Sequence, residues 1–169
     1  DVAVVISASG NPKYLLGVLE KANEVNAKTI ALTCNSQAKI IDEASLAICV
    51  EVGPEVIAGS SRMKAGTAQK MVLNMLTTGS MIKIGKTYEN FMIDLNPTNE
   101  KLKDRAIRIV AQIAETTHAN AFQTLENCNW EIKTAIVSIK MGIDFDTARQ
   151  KLKTCNGVLR RLLNKKEVI

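Results

Sequence analysis

Val2 to Ser7 forms a continuous apolar run, as expected of a parallel strand buried on both faces. The small-residue loop Ser7-Ala8-Ser9-Gly10-Asn11 follows, and Pro12 suits the first turn of a helix. Leu15, Leu16, Leu19, Ala22 and Val25 then recur at helical spacing on one stripe. Thr29 to Thr33 reads as the next strand, Gln37 to Glu43 as a short helix, and Leu46 to Val50 as a third strand. Strand, helix, strand, helix, strand is the order of a doubly wound parallel sheet.

Gly53-Pro54 breaks that rhythm. A long helix is predicted from about Ser61 to about Ile84, with Met63, Met71, Val72, Met75, Leu76 and Ile82 on one face and Gly85 as its stop. Lys86 to Leu95 reads as an extended connector. Asn96 as N-cap and Pro97 at the first helical position predict a helix to about Thr116. Short helices with polar joints follow at His118–Glu126, Trp130–Met141, Phe145–Lys153 and Val158–Leu163. The expected division is an α/β domain over 1–116 and a small helical subdomain over 117–169. Three strands make a thin sheet where five are usual. Because the first opens at residue 1, further strands are expected upstream, and the open sheet edge argues for a missing half or a partner chain.

Composition narrows the function. Hydrophobic residues make up 46% and charged residues 23% of 169, ordinary for a folded protein. No apolar run approaches the roughly 20 residues that span a bilayer, so no membrane partner is expected. The net charge of +5 raises nucleic acid as a partner, with the densest basic cluster at Arg160, Arg161, Lys165 and Lys166. Aromatic residues are only 4%, which leaves little for base stacking, and no nucleic-acid partner is expected. Cys34, Cys49, Cys128 and Cys155 lack C-x-x-C spacing and there is one histidine, so neither a zinc site nor another metal is expected. Cys34 and Cys49 lie in apolar surroundings and read as buried free thiols of a reducing cytoplasm.

Two segments carry candidate chemistry. In the first, Ser7, Ser9, Gly10 and Asn11 join a buried strand to a helix start. There an anion would meet unpaired backbone N–H groups, a positive dipole end and two hydroxyls. The bland alternative is an ordinary strand-to-helix turn capped by Ser9 or Asn11. It is neither a Walker loop nor G-x-G-x-x-G. The second runs from Gly53 to Lys70 and sets Glu55, Ser60, Ser61, Arg62 and Lys64 beside a helix start. Ser60 or Ser61 could cap it. Cations in a first turn oppose the helix dipole, which suggests a site; the alternative is that they reach solvent or pair with Glu51 or Glu55. His118, Trp130 and Met71, Met75 and Met81 read as structural.

The stretch Gly53 to Lys70 resembles the signature segment shared by N-acetylmuramic acid 6-phosphate etherases and the glucokinase regulatory protein family. Tyr88 to Leu102, with Asp94 and Thr98-Asn99-Glu100-Lys101-Leu102, and Lys133 to Val137 are similar to the bacterial etherases. The resemblance implies a sugar isomerase (SIS) domain, a flavodoxin-like three-layer sandwich with a parallel sheet, partial in this chain and followed by a small helical domain. It implies a lyase that cleaves the lactyl ether of N-acetylmuramic acid 6-phosphate to N-acetylglucosamine 6-phosphate and D-lactate in cell-wall recycling. It further implies no cofactor, a phosphorylated amino sugar as ligand and a homodimer. The implied acid/base glutamates lie upstream of this chain, so the catalytic residues are unassigned here. Glu55 is the remaining carboxylate candidate, and holding a sugar hydroxyl is its more conservative role. The binding set is Ser7, Ser9, Gly10, Asn11, Glu55, Ser60, Ser61 and Lys64. The competing readings are a sugar-phosphate sensor of the glucokinase-regulator type, without turnover, and a DNA-binding regulator with its DNA module upstream.

Overall fold

The structure, a computed structural model, describes residues 1–163; Lys165 and Lys166 of the basic cluster lie outside them. The described residues form two compact units, 1–77 and 78–163.

In the first unit three strands, β1 (Val2–Ser7), β2 (Lys28–Thr33) and β3 (Leu46–Cys49), pair in parallel in that order. The register sets Ser7 beside Thr33 and Thr33 beside Cys49, so all three strands end along one sheet edge. Helices α1 (Lys13–Glu24) and α2 (Ile40–Glu43) supply the crossovers. Both cover the same sheet face: Val5 and Ala31, which are register partners, share a buried cluster with Leu15, Leu19, Ala38 and Ile40. Alternation puts Val2, Val4 and Ile6 on the opposite face, and there Val2 is 59% exposed, with Val4, Ile6 and Leu46 also exposed. The described residues therefore supply two layers of the expected sandwich, and the third face stays largely open. Cys49 is exposed rather than buried, because it ends a short strand that, among the described residues, has a neighbour on one side only.

Helix α3 (Lys64–Lys83) begins three residues later than the expected Ser61. Its apolar stripe does not make a core: Ala65 is its one buried residue, and Met75 is 64% exposed. The boundary between units falls within this helix.

The second unit opens with a hairpin of β4 (Thr87–Tyr88) and β5 (Phe91–Met92) where a plain connector was expected. Then come α4 (Glu100–Ala114), α5 (His118–Asn127), α6 (Ile132–Met141), α7 (Phe145–Thr154) and α8 (Leu159–Leu162). Asn99, not Asn96, caps α4: its side chain accepts the Leu102 N–H at 2.9 Å. Capping requires an oxygen within reach of the second or third helical N–H, and Asn96 stands a turn too early. The expected division at 116 falls instead at 77. The reason is the inward face of α4: Ala106, Ile109, Val110 and Ile113 join Leu125, Ile136, Val137 and Leu159 in one buried cluster. Composition changes at the polar joint after α4, but packing does not.

Candidate functional site

The carboxyl edge of the parallel sheet gathers both candidate segments. This edge is where open α/β sheets bind ligands. β1 delivers Ser7 and its loop. Gly10 has φ +68° and is packed so closely that a Cβ there would stand 2.2 Å from the Ala38 Cβ, so only glycine fits.

Three consecutive residues at the end of β2 pin the loop. The Thr33 hydroxyl and the Cys34 N–H both donate to the Ala8 carbonyl, at 3.3 and 3.0 Å, and the Asn35 amide donates to the Ser9 carbonyl at 3.0 Å. With its carbonyls held by β2, the loop's N–H groups turn onto its own serines. Gly10 N–H donates to Ser7 Oγ at 3.0 Å, and Asn11 N–H reaches Ser9 Oγ at the long distance of 3.5 Å. These two N–H groups are thus not unpaired, as the sequence suggested. Each serine accepts through oxygen and keeps its hydroxyl hydrogen to donate outward. Ser9 and Asn11 are exposed, and α1 starts at Lys13 without a side-chain cap.

The second segment is organised by Glu55. Its two carboxylate oxygens accept the N–H groups of Lys64 and Ala65, each at 3.0 Å. The cap of α3 is therefore a carboxylate nine residues upstream, not Ser60 or Ser61. The Ser61 carbonyl accepts the Gly66 N–H at 3.0 Å, and the Ser60 N–H donates to Ile57 O at 3.1 Å. The negative charge of Glu55 also resolves the odd placement of Lys64: carboxylate and ammonium share the helix start, so the dipole is compensated. The Ala65 and Lys64 N–H bonds hold the Glu55 carboxyl below the usual carboxylate range; slight desolvation opposes this and the Lys64 charge adds to it. A carboxylate held in this way accepts hydrogen bonds well and takes protons poorly. That suits accepting a ligand's hydroxyl better than acting as general base. The Lys64 Nζ lies by Gly53, 3.7 Å from where a Cβ would sit.

Sequence reasoning missed the residue that touches both segments. Cys34 donates its N–H to the serine loop, while its thiol lies 4.0 Å from the Ala65 carbonyl at the start of α3. Burial pushes the thiol pKa up, and the nearby Cys49 and Glu55 push it the same way, which favours the neutral thiol. Its position directly after β2 was the available signal. The structure thus brings Ser7, Ser9, Gly10 and Asn11 together in one pinned loop, and Glu55, Ser60, Ser61 and Lys64 around one helix start. Among the described residues no group of three or more His, Cys, Asp or Glu converges to hold a metal ion. No helix among them is long and apolar enough to cross a membrane.

Residues 1–79 match the SIS domain family. The first unit is a SIS domain. Beyond that unit, nearly the whole chain is similar to proteins named N-acetylmuramic acid 6-phosphate etherase. It is 49% identical to that of Vibrio atlanticus over 95% of this chain and 53% of the relative. For Pseudoalteromonas atlantica the figures are 47%, 99% and 54%, and for Shouchella clausii 43%, 98% and 56%. The chain spans about half the length of the curated relatives it matches. The alignment runs past the SIS domain through the hairpin and α4 to α7, so the helical unit is included in the likeness.

Proposed function

We propose that this chain is the phosphosugar-binding part of a carbon–oxygen lyase acting on N-acetylmuramic acid 6-phosphate. The observation that carries the reading is identity of 43–49% to the named etherases over 95–99% of the chain. The pinned serine loop and the Glu55-capped helix start support it. In this reading Ser7 and Ser9 donate their hydroxyls to the sugar phosphate. Gly10 gives it room to approach, and Asn11 presents the α1 start. Glu55 accepts a sugar hydroxyl with the lone pairs its two N–H bonds leave over. Ser60, Ser61 and Lys64 complete the cradle, the ammonium offsetting phosphate charge.

The reaction is an elimination followed by addition. A base removes the proton at C2, the C3–O bond breaks, and a proton donor meets the departing oxygen to give D-lactate. Water then adds across the new double bond, its oxygen to C3 and a proton to C2, giving N-acetylglucosamine 6-phosphate. Each proton transfer contributes roughly 10²–10⁴-fold. Glu55, tied to two N–H groups, does not fill the role of base, and the resemblance places the acid/base glutamates outside this chain. We therefore assign this chain binding, and the proton transfers to the remainder of the longer protein. A homodimer covering the open sheet face and the exposed stripe of α3, working in the cytoplasm, fits the same reading. The sensor alternative is not favoured.

The test is a coupled lactate assay on the 169-residue chain and on a protein extended to the length of the relatives. The extended protein is expected to release D-lactate. The chain alone is expected to fall at least about 10²-fold below it while binding the sugar phosphate weakly. Equal activity would place the glutamates within this chain. An extended protein that binds the sugar phosphate but never releases lactate would establish the sensor.

A further inference from the structure

A cleft of about 550 Å³ lies wholly within the helical unit. Its walls are the run 93–97 after β5, the joint 129–131 with the first turn of α6, and the outer turns of α7 at 149–153. Its size is that of a small-molecule site. Ile93, Ile132 and Leu152 make an apolar floor.

The polar groups of the wall divide into those already engaged and those with capacity to spare. Both carboxylates are engaged. Asp94 takes the ammoniums of Lys86 and of Lys133, the latter at 3.3 Å. Glu131 accepts the Arg149 guanidinium at 2.8 Å and the Thr134 hydroxyl at 2.7 Å. Desolvation would raise both carboxyl pKa values, but these partners hold them below the usual range, so both stay charged and committed. The spare groups are donors: the Lys153 ammonium has no partner among the described residues, nor have the side-chain amides of Asn96 and Asn129. Four cations, Lys86, Lys133, Arg149 and Lys153, stand against three carboxylates, Asp94, Glu131 and Asp146, which leaves one positive charge over.

Asn129 and Trp130 at the rim both have left-handed backbone, φ 56° and 62°, unfavourable for a bulky residue. The Trp130 ring is nonetheless fixed, edge-on to Phe122 at 6.1 Å and with the Lys103 ammonium 5.2 Å above it. The result is an aromatic wall beside two free amides and one free ammonium.

We propose that this cleft is a ligand site for a small polyhydroxyl carboxylate of single negative charge, the sugar-acid class. Lys153 takes the carboxylate, Asn96 and Asn129 take hydroxyls, and Trp130 packs against the carbon face. The single surplus positive charge selects a monoanion over a phosphate monoester, which would bring close to two negative charges. The site is independent of the etherase reading: no residue of the serine loop or of the Glu55 segment lines it.

Trp130 is the only tryptophan of the chain, so intrinsic fluorescence reports on the cleft directly. The chain is titrated at fixed ionic strength with gluconate, with glucose and with inorganic phosphate, by fluorescence and by calorimetry in parallel so that binding without a spectral change is still seen. Gluconate is expected to saturate, with glucose and phosphate about tenfold weaker or more. Lys153→Gln, at an exposed position, is expected to raise the gluconate Kd about tenfold, while Lys39→Gln, which removes a lysine of the SIS unit, leaves it unchanged. Absence of saturable gluconate binding by both methods overturns the proposal. So does a Kd indifferent to Lys153→Gln, or phosphate binding as tightly as gluconate.

Discussion

The two units solve the burial problem differently. The helical unit closes on itself. Seventeen buried residues, from Tyr88 to Leu159, form one cluster, and side chains cap three of its helices, through Asn99, Thr117 and Asp144. The SIS unit buries six residues in its cluster, caps neither α1 nor α2 with a side chain, and leaves one sheet face and most of α3 exposed. Its order is concentrated instead at the carboxyl edge of the sheet, where Thr33, Cys34, Asn35 and Glu55 hold backbone groups of the two candidate segments. One unit spends its side chains on its own packing, and the other holds a surface ready for something else.

That contrast is broken most forcefully in the helical core. Ile136 is fully buried, so Ile136→Ala is expected to cost about 3–5 kcal/mol, read as an earlier urea midpoint by Trp130 fluorescence. Val4→Ala on the exposed sheet face is expected to cost under about 1 kcal/mol. Similar costs would mean that the face is covered in solution. Next in size is the pinned loop. Gly10→Ala adds a left-handed residue and a clash with Ala38, expected to cost about 2–4 kcal/mol. Hydrogen exchange should show β1 and β2 losing protection while the Trp130 transition stays put. Gly142→Ala, with φ +64° but open space around it, should cost only about 1 kcal/mol. A Gly10 variant as mild as that would contradict the tight packing.

The smallest effect is a pH dependence. The folded-state pKa of Glu55 is depressed, so its contribution is complete above the unfolded carboxylate pKa and is lost as pH falls through the lower folded value. Exchange of the Lys64 and Ala65 amides should accelerate across that acid window in the native chain. Glu55→Gln should show no such window. An unchanged profile in the variant would assign the cap elsewhere.

Much of the SIS unit was legible because periodicity is local. The alternation of apolar runs with one helical stripe located β1, α1, β2, α2 and β3 to within a few residues. The serine loop announced itself as small residues between a strand and a helix. What was not legible depended on partners distant in the chain. Ser60 and Ser61 were plausible caps for α3, and nothing in their neighbourhood says that Glu55 would fold back to take the role. Cys34 looked like a core thiol because its contacts, Ala8 and Ala65, lie far off in sequence. The β4–β5 hairpin, two residues a strand, is too short for alternation to register. The unit boundary was misplaced because composition follows solvent exposure of joints, whereas a unit is defined by which apolar faces meet.

The strand β1 has β2 on one side and no strand on the other among the described residues. Its sequence is Val-Ala-Val-Val-Ile-Ser, with no charge, proline or glycine to interrupt it. A segment of that kind with a free edge is a template for adding strands from other molecules, the first step toward cross-β assembly. Three of its side chains, Val2, Val4 and Ile6, already face outward. A cover over this face would therefore act as a guard against aggregation as well as a part of the fold. Chains of this length should stay dispersed only when dilute, or when charge is introduced along that edge.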